Sequence, residues 1–466
     1  MPAIRLILVN NAKQTQQAVV LIPADKLDVS AIEQAARSKL RLKKLVHIFD
    51  VSGQPVSELS SLQNGDKLIL SQGEAFVGKQ GTPASSSAPR TAPAPVRLIA
   101  NKAEVTSEAV TQLNAVARLP GMVKVVGLPD LHAGQQSPIG AAYIAKDCVY
   151  PALVDQDIGC GMTLYATRLK GDTNPDKLAK DLDIDGPLAP GEAPQDLPSE
   201  TLGTVDFAQY SQTLGSIGGG NHFAEFQTLE KLFLPDAFPA HIDKDHLFLL
   251  IHSGSRGLGK AILQAQPDGA LTEGSSAFDT YITQHDVAVQ WAQINRQIIA
   301  DRLLACLGQD KDAKDQVLDL VHNCVVKIEN EGWLHRKGAA PSMEEGQLGI
   351  IPGSRGHRTW MVRIKGSQHE NAYSIAHGAG RAMTRTKAAQ LAASRDNRKG
   401  VVSDLTRTSL DSVVICEDKK LIVEESPQVY KEVDDVVADL VEQGIVEIVA
   451  SFKPVVTYKL RAQVRV

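Results

Sequence analysis

Cysteine is sparse in this chain of 466 residues: there are five, with no Cys-x-x-Cys pair among them. An odd, scattered set does not make a disulfide framework, and the missing paired spacing excludes a structural zinc ribbon. No stretch reaches the roughly 18 consecutive apolar residues that a membrane span requires. The opening MPAIRLILVNN has a short apolar run and no small-residue cleavage site, so it lacks the form of a secretory signal. These absences lead us to expect a cytoplasmic protein with no membrane partner. Positive charge is not in excess either. Against 54 acidic residues stand 49 basic ones, a net of −5, so no global basic field announces a nucleic-acid partner. The balance is uneven along the chain: residues 1–78 hold nine basic and seven acidic side chains, residues 79–96 two basic and no acidic ones, and the rest a net of −9. Any RNA or nucleotide site in that last part has to be a local basic pocket. No repeat of fixed period is present.

What the chain does have is a core. Hydrophobic residues make up 43% and charged residues 22%, ordinary values for a folded chain, and the length predicts two or three domains. Lys79–Val96, KQGTPASSSAPRTAPAPV, is Pro, Ala and Ser with little to bury, which reads as an extended linker. We therefore expect a domain at 1–78, a linker at 79–96 and a second domain at 97–466. In the first, AIRLILV (Ala3–Val9) and AVVLIP (Ala18–Pro23) read as strands and Ser30–Leu40 as a helix. KLVHIFD (Lys44–Asp50) and KLILS (Lys67–Ser71) read as further strands, the last after the turn Asn64-Gly65-Asp66. This ββαββ order, with the phrase LQNGDKLIL, resembles a ubiquitin-like β-grasp domain. It runs on into GEAFVGK with no Gly-Gly, which argues against a conjugated modifier. The expected fold class is α+β: a small β-grasp domain before a large mixed catalytic domain. In the large domain, strands such as VVGLPD, LFLLIHSG and LGIIPGSRG end in glycine-rich loops, and Asp286–Leu307 and Lys314–Val325 read as helices. Strand-end loops are where such enzymes keep their chemistry.

Five short motifs, four of them glycine-flanked, concentrate His, Cys and Asp. VDQDIGCGM places Asp157 and Cys160 three apart, able to aim a carboxylate and a thiolate at one ion. A thiolate can also bridge two. IGGGNHFAEF presents Asn221, His222 and Glu225 behind three glycines that permit close backbone approach. IHSGSRGLG ends a hydrophobic strand at His252, with Arg256 beyond. LVHNCVV puts His322 and Asn323 in the expected helix. AHGAGRAMTRTKA sets His377 in a glycine loop running into a helix with Arg381, Arg385 and Lys387. Each has a plainer reading: a helical histidine is more often structural, glycine loops are usually only turns, and a buried cysteine is usually a small apolar side chain. Their concentration in one domain supplies a ligand set for a two-metal centre. Mixed N, O and S donors suit Mn²⁺, Fe²⁺, Co²⁺ or Zn²⁺.

The motifs LPDLHAGQQSPIG, DIGCGM, GGGNHFAEF, HSGSRG, HRKGA, IPGSRG and HGAGR, in this order over residues 97–466, resemble the RtcB family of RNA ligases. The resemblance implies an enzyme that seals RNA 3′-phosphate or 2′,3′-cyclic phosphate ends to 5′-hydroxyl ends. It implies GTP and two Mn²⁺ ions as cofactors and a histidine–GMP intermediate. By motif, His377 is the nucleophile, Cys160 bridges the two ions, Asp157 and His222 complete one site, and His252 and His322 the other. The GTP pocket is implied at Asn221, His222, Phe223, Ala224 and Glu225, at His322 and Asn323, and at Pro352, Gly353, Ser354, Arg355 and Thr359. It continues through His377, Gly378, Ala379 and Gly380 to Tyr430 and Lys459. Arg381 and Arg385 are candidates for phosphates, whose oxygens match a guanidinium fork. Asp130 is a candidate for orienting His377, or is simply a turn carboxylate.

The chain also departs from the family pattern. PGSRGHRTW stands where many members have PGSMGTxSY, so Arg355, His357 and Arg358 add charge there, and residues follow Lys459 where members commonly end. PGSRG looks like the subgroup linked to a release-factor homologue, which makes ribosomal RNA a substrate to consider beside tRNA. An archease-like activator is a second partner to consider. In the first domain, Arg37, Lys39, Arg41, Lys43 and Lys44 are either an RNA- or ribosome-contacting patch or a solvated helix end favoured by the dipole. Two other functions are weighed: a metal-dependent cyclic phosphodiesterase, which would need the metal ligands but not His377 or the GTP loop, and a non-catalytic RNA-repair adaptor acting through the first domain. Retention of every ligand and nucleophile position favours ligation.

Overall fold

The computed structural model describes residues 3–13, 16–50, 53–56, 65–74, 92–186, 205–384 and 405–461, with isolated positions between them. Residues 77–91, Asn64 and Arg385 are outside the described residues. The chain forms two compact units, Met1–Thr91 and Ala92–Val466.

In the first unit, strands Ala3–Asn10, Gln17–Pro23, His47–Phe49 and Lys67–Ser71 build one four-stranded sheet, with Ala3–Asn10 and Lys67–Ser71 parallel at its centre. Helix Val29–Leu40 starts at Asp28, whose side chain accepts the Ala31 N–H at 2.7 Å. It buries Ile32, Ala36 and Leu40 against Leu6, Leu8, Leu68 and Leu70. The helix stops where Arg41 turns left-handed, at φ 55°. Arg37 and Lys39 occupy its last turn, the former paired with Glu33 at 2.9 Å, which is the arrangement the helix dipole favours.

The second unit claims the last residues of the expected linker, since Ala94 is buried and Val96–Leu98 is a strand. An eight-stranded sheet runs in the order Lys314–Val321, Gly161–Lys170, His246–Ser253, Phe223–Leu232, Val446–Leu460, Thr359–Ile364, Leu348–Pro352, with Val413–Cys416 also beside Val446–Leu460. A five-stranded sheet runs Asn323–Ile328, Gly332–Lys337, Ile139–Ala145, Met122–His132, Val96–Leu98. Phe226, Phe248 and Phe452 are fully buried within the larger sheet, Phe248 and Phe452 edge to face at 4.9 Å. Losing one of these rings would cost about 3–5 kcal/mol.

Helix Ser276–Cys306 contains most of the expected Asp286–Leu307 helix and extends it at the N-terminal end. Lys314–Val325 is not a helix. Lys314–Val321 is a strand of the large sheet and Asn323–Ile328 one of the small sheet. Buried Leu318 and Leu320 flank the half-buried Asp319, a period of two that the apolar run concealed. His322 is the single residue between these strands, where the chain crosses from one sheet to the other.

Candidate active site

Register brings the ligand types together. Gly161 pairs with both Val321 and Ser253, and Phe223 with His252. Cys160, His322, His252 and His222 therefore converge as neighbours at adjoining strand ends. The backbone fixes the junction: the His322 N–H donates to the Cys160 carbonyl at 2.9 Å and the Gly159 N–H to the Asn323 carbonyl at 2.8 Å. Arg296, fully buried on the long helix, donates to the carbonyls of Gly159 and Ser253 at 3.0 Å each and pairs with Asp319 at 2.8 Å. Nothing in its helical context marked it as the tie between these loops.

The side chains form a continuous row. Asp157 Oδ2 lies 2.9 Å from His222 Nε2, and Cys160 Sγ lies 3.3 Å from both His222 Nε2 and His252 Nε2. His252 Nε2 is 3.2 Å from His322 Nε2. The atoms of Cys160, His222 and His252 all fall within 4.8 Å of one another. His222 Nδ1 donates to the Ile217 carbonyl at 3.0 Å, which turns Nε2 toward the cluster. Burial, reinforced by the neighbouring imidazoles, holds His252 and His322 well below the ordinary imidazole range, so both are neutral and carry the lone pair a cation needs. Burial and the Asp157 charge push the Cys160 thiol well up. Burial alone would raise Asp157, but the hydrogen bond and charge of His222 outweigh it and hold the carboxyl below its usual range. Asp157 Oδ1 is buried without a partner. Gly254 is required beside it, because a Cβ there would lie 2.3 Å from Asp157 Oδ2. Two imidazole nitrogens facing each other at 3.2 Å, a sulfur 3.3 Å from two such nitrogens, a thiol next to a carboxylate and an orphaned carboxylate oxygen all fit shared cations.

His377 follows the strand Ser374–Ala376, its ring centroid 4.7 Å from that of His322. Its backbone N–H and its Nδ1 reach the same oxygen, Asp130 Oδ2, at 3.1 and 2.6 Å. Asp130 is fully buried on Met122–His132. A carboxylate only accepts, so Nδ1 donates and Nε2 is the ring nitrogen not committed to Asp130.

Cluster and imidazole open on one cavity of about 650 Å³, a size suited to a nucleotide. Of the residues expected around GTP, Asn221, His222, Phe223, Glu225, His322, Asn323, Pro352–Arg355, His377–Gly380, Tyr430 and Lys459 line it. Ala224 and Thr359 do not. Strand alternation turns Ala224 from the Phe223 and Glu225 face into the core. Thr359 sits behind the wall, accepting from Gln227 at 2.8 Å, and Gln227 donates to Glu225 at 2.7 Å. Arg381 lines the cavity, but its guanidinium is committed to Glu425 and to the Met383 and Glu424 carbonyls at 3.0–3.1 Å. Each of its three guanidinium nitrogens is thus engaged within the protein. Among the charged residues of PGSRGHRTW only Arg355 reaches the cavity. Arg358 pairs with Glu230 at 2.8 Å, and His357 meets Ser354 at 2.7 Å. Arg355 donates to the Ile422 carbonyl, leaving Nε and Nη1 buried without partners. Burial pushes Glu225 up to about 7 and Lys459 down to about 8. Lys459 Nζ donates to the His222 carbonyl at 2.9 Å. Also on the wall are His132, Gln135, Lys337 and Glu425. The first three belong to motifs already visible, LPDLHAGQQ and HRKGA, whereas Glu425 had no local signal.

A cavity at strand ends, holding a carboxylate-oriented imidazole beside converging sulfur and nitrogen donors, is the site of an enzyme. The tRNA-splicing ligase RtcB family model matches residues 112–209 and 195–460. The chain is 45% identical over 368 residues to the RNA-splicing ligase RtcB2 of Escherichia coli ATCC 25922, covering 76% of this chain and 93% of that one. It is 28% identical over 428 residues to the RNA-splicing ligase RtcB of E. coli K12, with 78% and 97% covered. To the tRNA-splicing ligase RtcB of Nanoarchaeum equitans it is 29% identical over 440 residues, with 75% and 91% covered. The chain belongs to the RtcB family of RNA-splicing ligases.

Proposed function

We propose that this enzyme is a GTP- and Mn²⁺-dependent ligase joining RNA 3′-phosphate or 2′,3′-cyclic phosphate ends to 5′-hydroxyl ends through a histidine–GMP intermediate, in RNA repair or tRNA splicing. The observation that carries the reading is the His377–Asp130 pair beside the Cys160 cluster in one cavity. Because Nδ1 is held by Asp130, His377 presents Nε2 as the nucleophile. Nε2 bonds to the α-phosphorus of GTP as the bond to the bridging oxygen breaks and pyrophosphate leaves. An oxygen of the RNA 3′-phosphate then attacks the same phosphorus and releases Nε2. The 5′-hydroxyl finally displaces GMP from the activated end. In this reading Asp157, Cys160, His222, His252 and His322 would hold the two Mn²⁺ ions. When bound, the ions supply charge neutralisation at the phosphoryl oxygens and orient an in-line displacement. Glu225 and Lys459 would grip the base, and Tyr430 would wall it.

The division at 1–78, 79–96 and 97–466, with a β-grasp first domain, is part of the same proposal, as is a cytoplasmic setting. No helix among the described residues is long and apolar enough to cross a membrane. PGSRG is what supports ribosomal RNA as a substrate beside tRNA and a release-factor homologue as a partner, and an archease-like activator is a further partner in this proposal. Oligonucleotides with 3′-phosphate and 5′-hydroxyl ends, incubated with protein, GTP and Mn²⁺, should yield a joined product. Opening of cyclic phosphates without joining would favour the phosphodiesterase. Faster sealing of broken tRNA than of broken ribosomal RNA would remove the ribosomal substrate.

A further inference from the structure

Lys431 does not line the cavity, yet it is fastened to both stretches of backbone that bring His377 and Asp130 together. Its Nζ donates to the carbonyls of Pro129 and Leu131, at 2.9 and 2.7 Å. These two residues flank Asp130. Its backbone N–H donates at 3.0 Å to the carbonyl of Gly380, which ends the nucleophile loop. The two loops touch closely here: Gly380 has φ +71°, and a Cβ on it would lie 2.2 Å from the Asp130 carbonyl oxygen. Asp130 itself is fully buried, with both His377 bonds on Oδ2 and no partner for Oδ1.

The charge environment singles out the same lysine. Burial pushes Lys431 down to about 8, and Asp130 leads the groups that oppose this shift, ahead of Glu104 and Asp439. His132, whose Nδ1 meets the Asp130 carbonyl at 2.9 Å, is held near 4 by burial and brings no charge at neutral pH. The preceding residue, Tyr430, faces the cavity and bonds Glu425. One short segment thus forms cavity wall on one side and the backing of Asp130 on the other.

We propose that Lys431 is a positioning residue for guanylyl transfer, its ammonium clamping the loop that carries Asp130 so that the carboxylate stays set against His377 Nδ1. The proposal rests on the reading of His377 as the GMP acceptor. Lys431 touches neither GTP nor RNA in this role. It acts on the placement of the group that holds the nucleophile.

The test uses the full chain with Mn²⁺ and GTP, comparing Lys431→Gln and Lys431→Arg. The rate of GMP adduct formation is followed by intact mass, and GTP affinity is titrated separately. The glutamine variant should form the adduct about 10–100-fold more slowly with GTP affinity within about threefold of wild type. The arginine variant, which keeps charge and donors, should recover most of the rate. In an Asp130→Asn background the glutamine substitution should have little further effect, because both act through one carboxylate. A glutamine variant as fast as wild type, an arginine variant as slow as glutamine, or full additivity with Asp130→Asn would overturn the clamp. A wild type that forms no adduct would overturn the nucleophile reading, and the clamp with it.

Discussion

Asp130 accepts both hydrogen bonds that fix His377, the backbone N–H at 3.1 Å and Nδ1–H at 2.6 Å, on a single carboxylate oxygen. Peptide and ring are thereby locked together, and the free Nε2 points away from the carboxylate.

Asp130→Asn should disrupt that lock, since an amide can donate to Nδ1 and favour the tautomer with the proton on Nε2. Adduct formation should fall by on the order of 10²–10⁴-fold, with GTP affinity nearly unchanged. Rapid-quench measurement of the adduct beside a GTP titration separates the two. Loss of affinity with an unchanged rate would place Asp130 in binding instead.

Cys160→Ser should remove metal from both halves of the cluster. Elemental analysis of Mn²⁺-loaded protein should give about two ions per chain for wild type and fewer than one for the variant. The thiol is pushed well up by burial and by Asp157, so loading must release its proton. Metal affinity should therefore rise with pH. A pH-independent affinity would count against a thiolate ligand.

GTP binding should be strongest between about pH 7 and 8. Below that window Glu225, raised to about 7 by burial, is protonated and a poorer acceptor for the guanine N–H groups. Above it Lys459, lowered to about 8 by burial, loses its charge. Glu225→Gln should abolish the acid limb alone. Affinity that is flat from pH 6 to 9 would exclude both side chains from the base site.

Deleting residues 1–90 should leave adduct formation intact and alter neither RNA affinity nor its salt dependence. Arg37 is paired with Glu33, and Lys39 lies in the helix's last turn, so part of the basic run is accounted for structurally. A smaller salt slope after deletion would instead identify a phosphate-contacting arm.

Asp157, Cys160, His222 and His252 were legible because each stands beside a glycine motif next to a strand end. The first unit was legible too, apart from strand lengths, since runs rich in branched apolar residues mark its strands. His322 was found but set in the wrong element: an apolar run such as LDLVHNCVV carries no period that separates helix from buried strand. The bonds of Arg381 had no local signal, because its partner Glu425 is 44 residues away. Arg296 and Lys431 went unnoticed for a related reason. Each acts by donating to backbone carbonyls distant in sequence, and a carbonyl leaves no trace in the identity of the residue that bears it. Ala224 and Thr359 were swept in with their motifs, although one turns into the core and the other stands behind Glu225.

The central claim is that His377 becomes covalently guanylylated, and intact mass spectrometry of the full chain after incubation with Mn²⁺ and GTP tests it most directly. Wild type should gain one GMP, about 345 Da, through a covalent histidine adduct, and His377→Ala should gain none. An unmodified wild type that is folded and metal-loaded, or an adduct that survives on His377→Ala, would contradict the account.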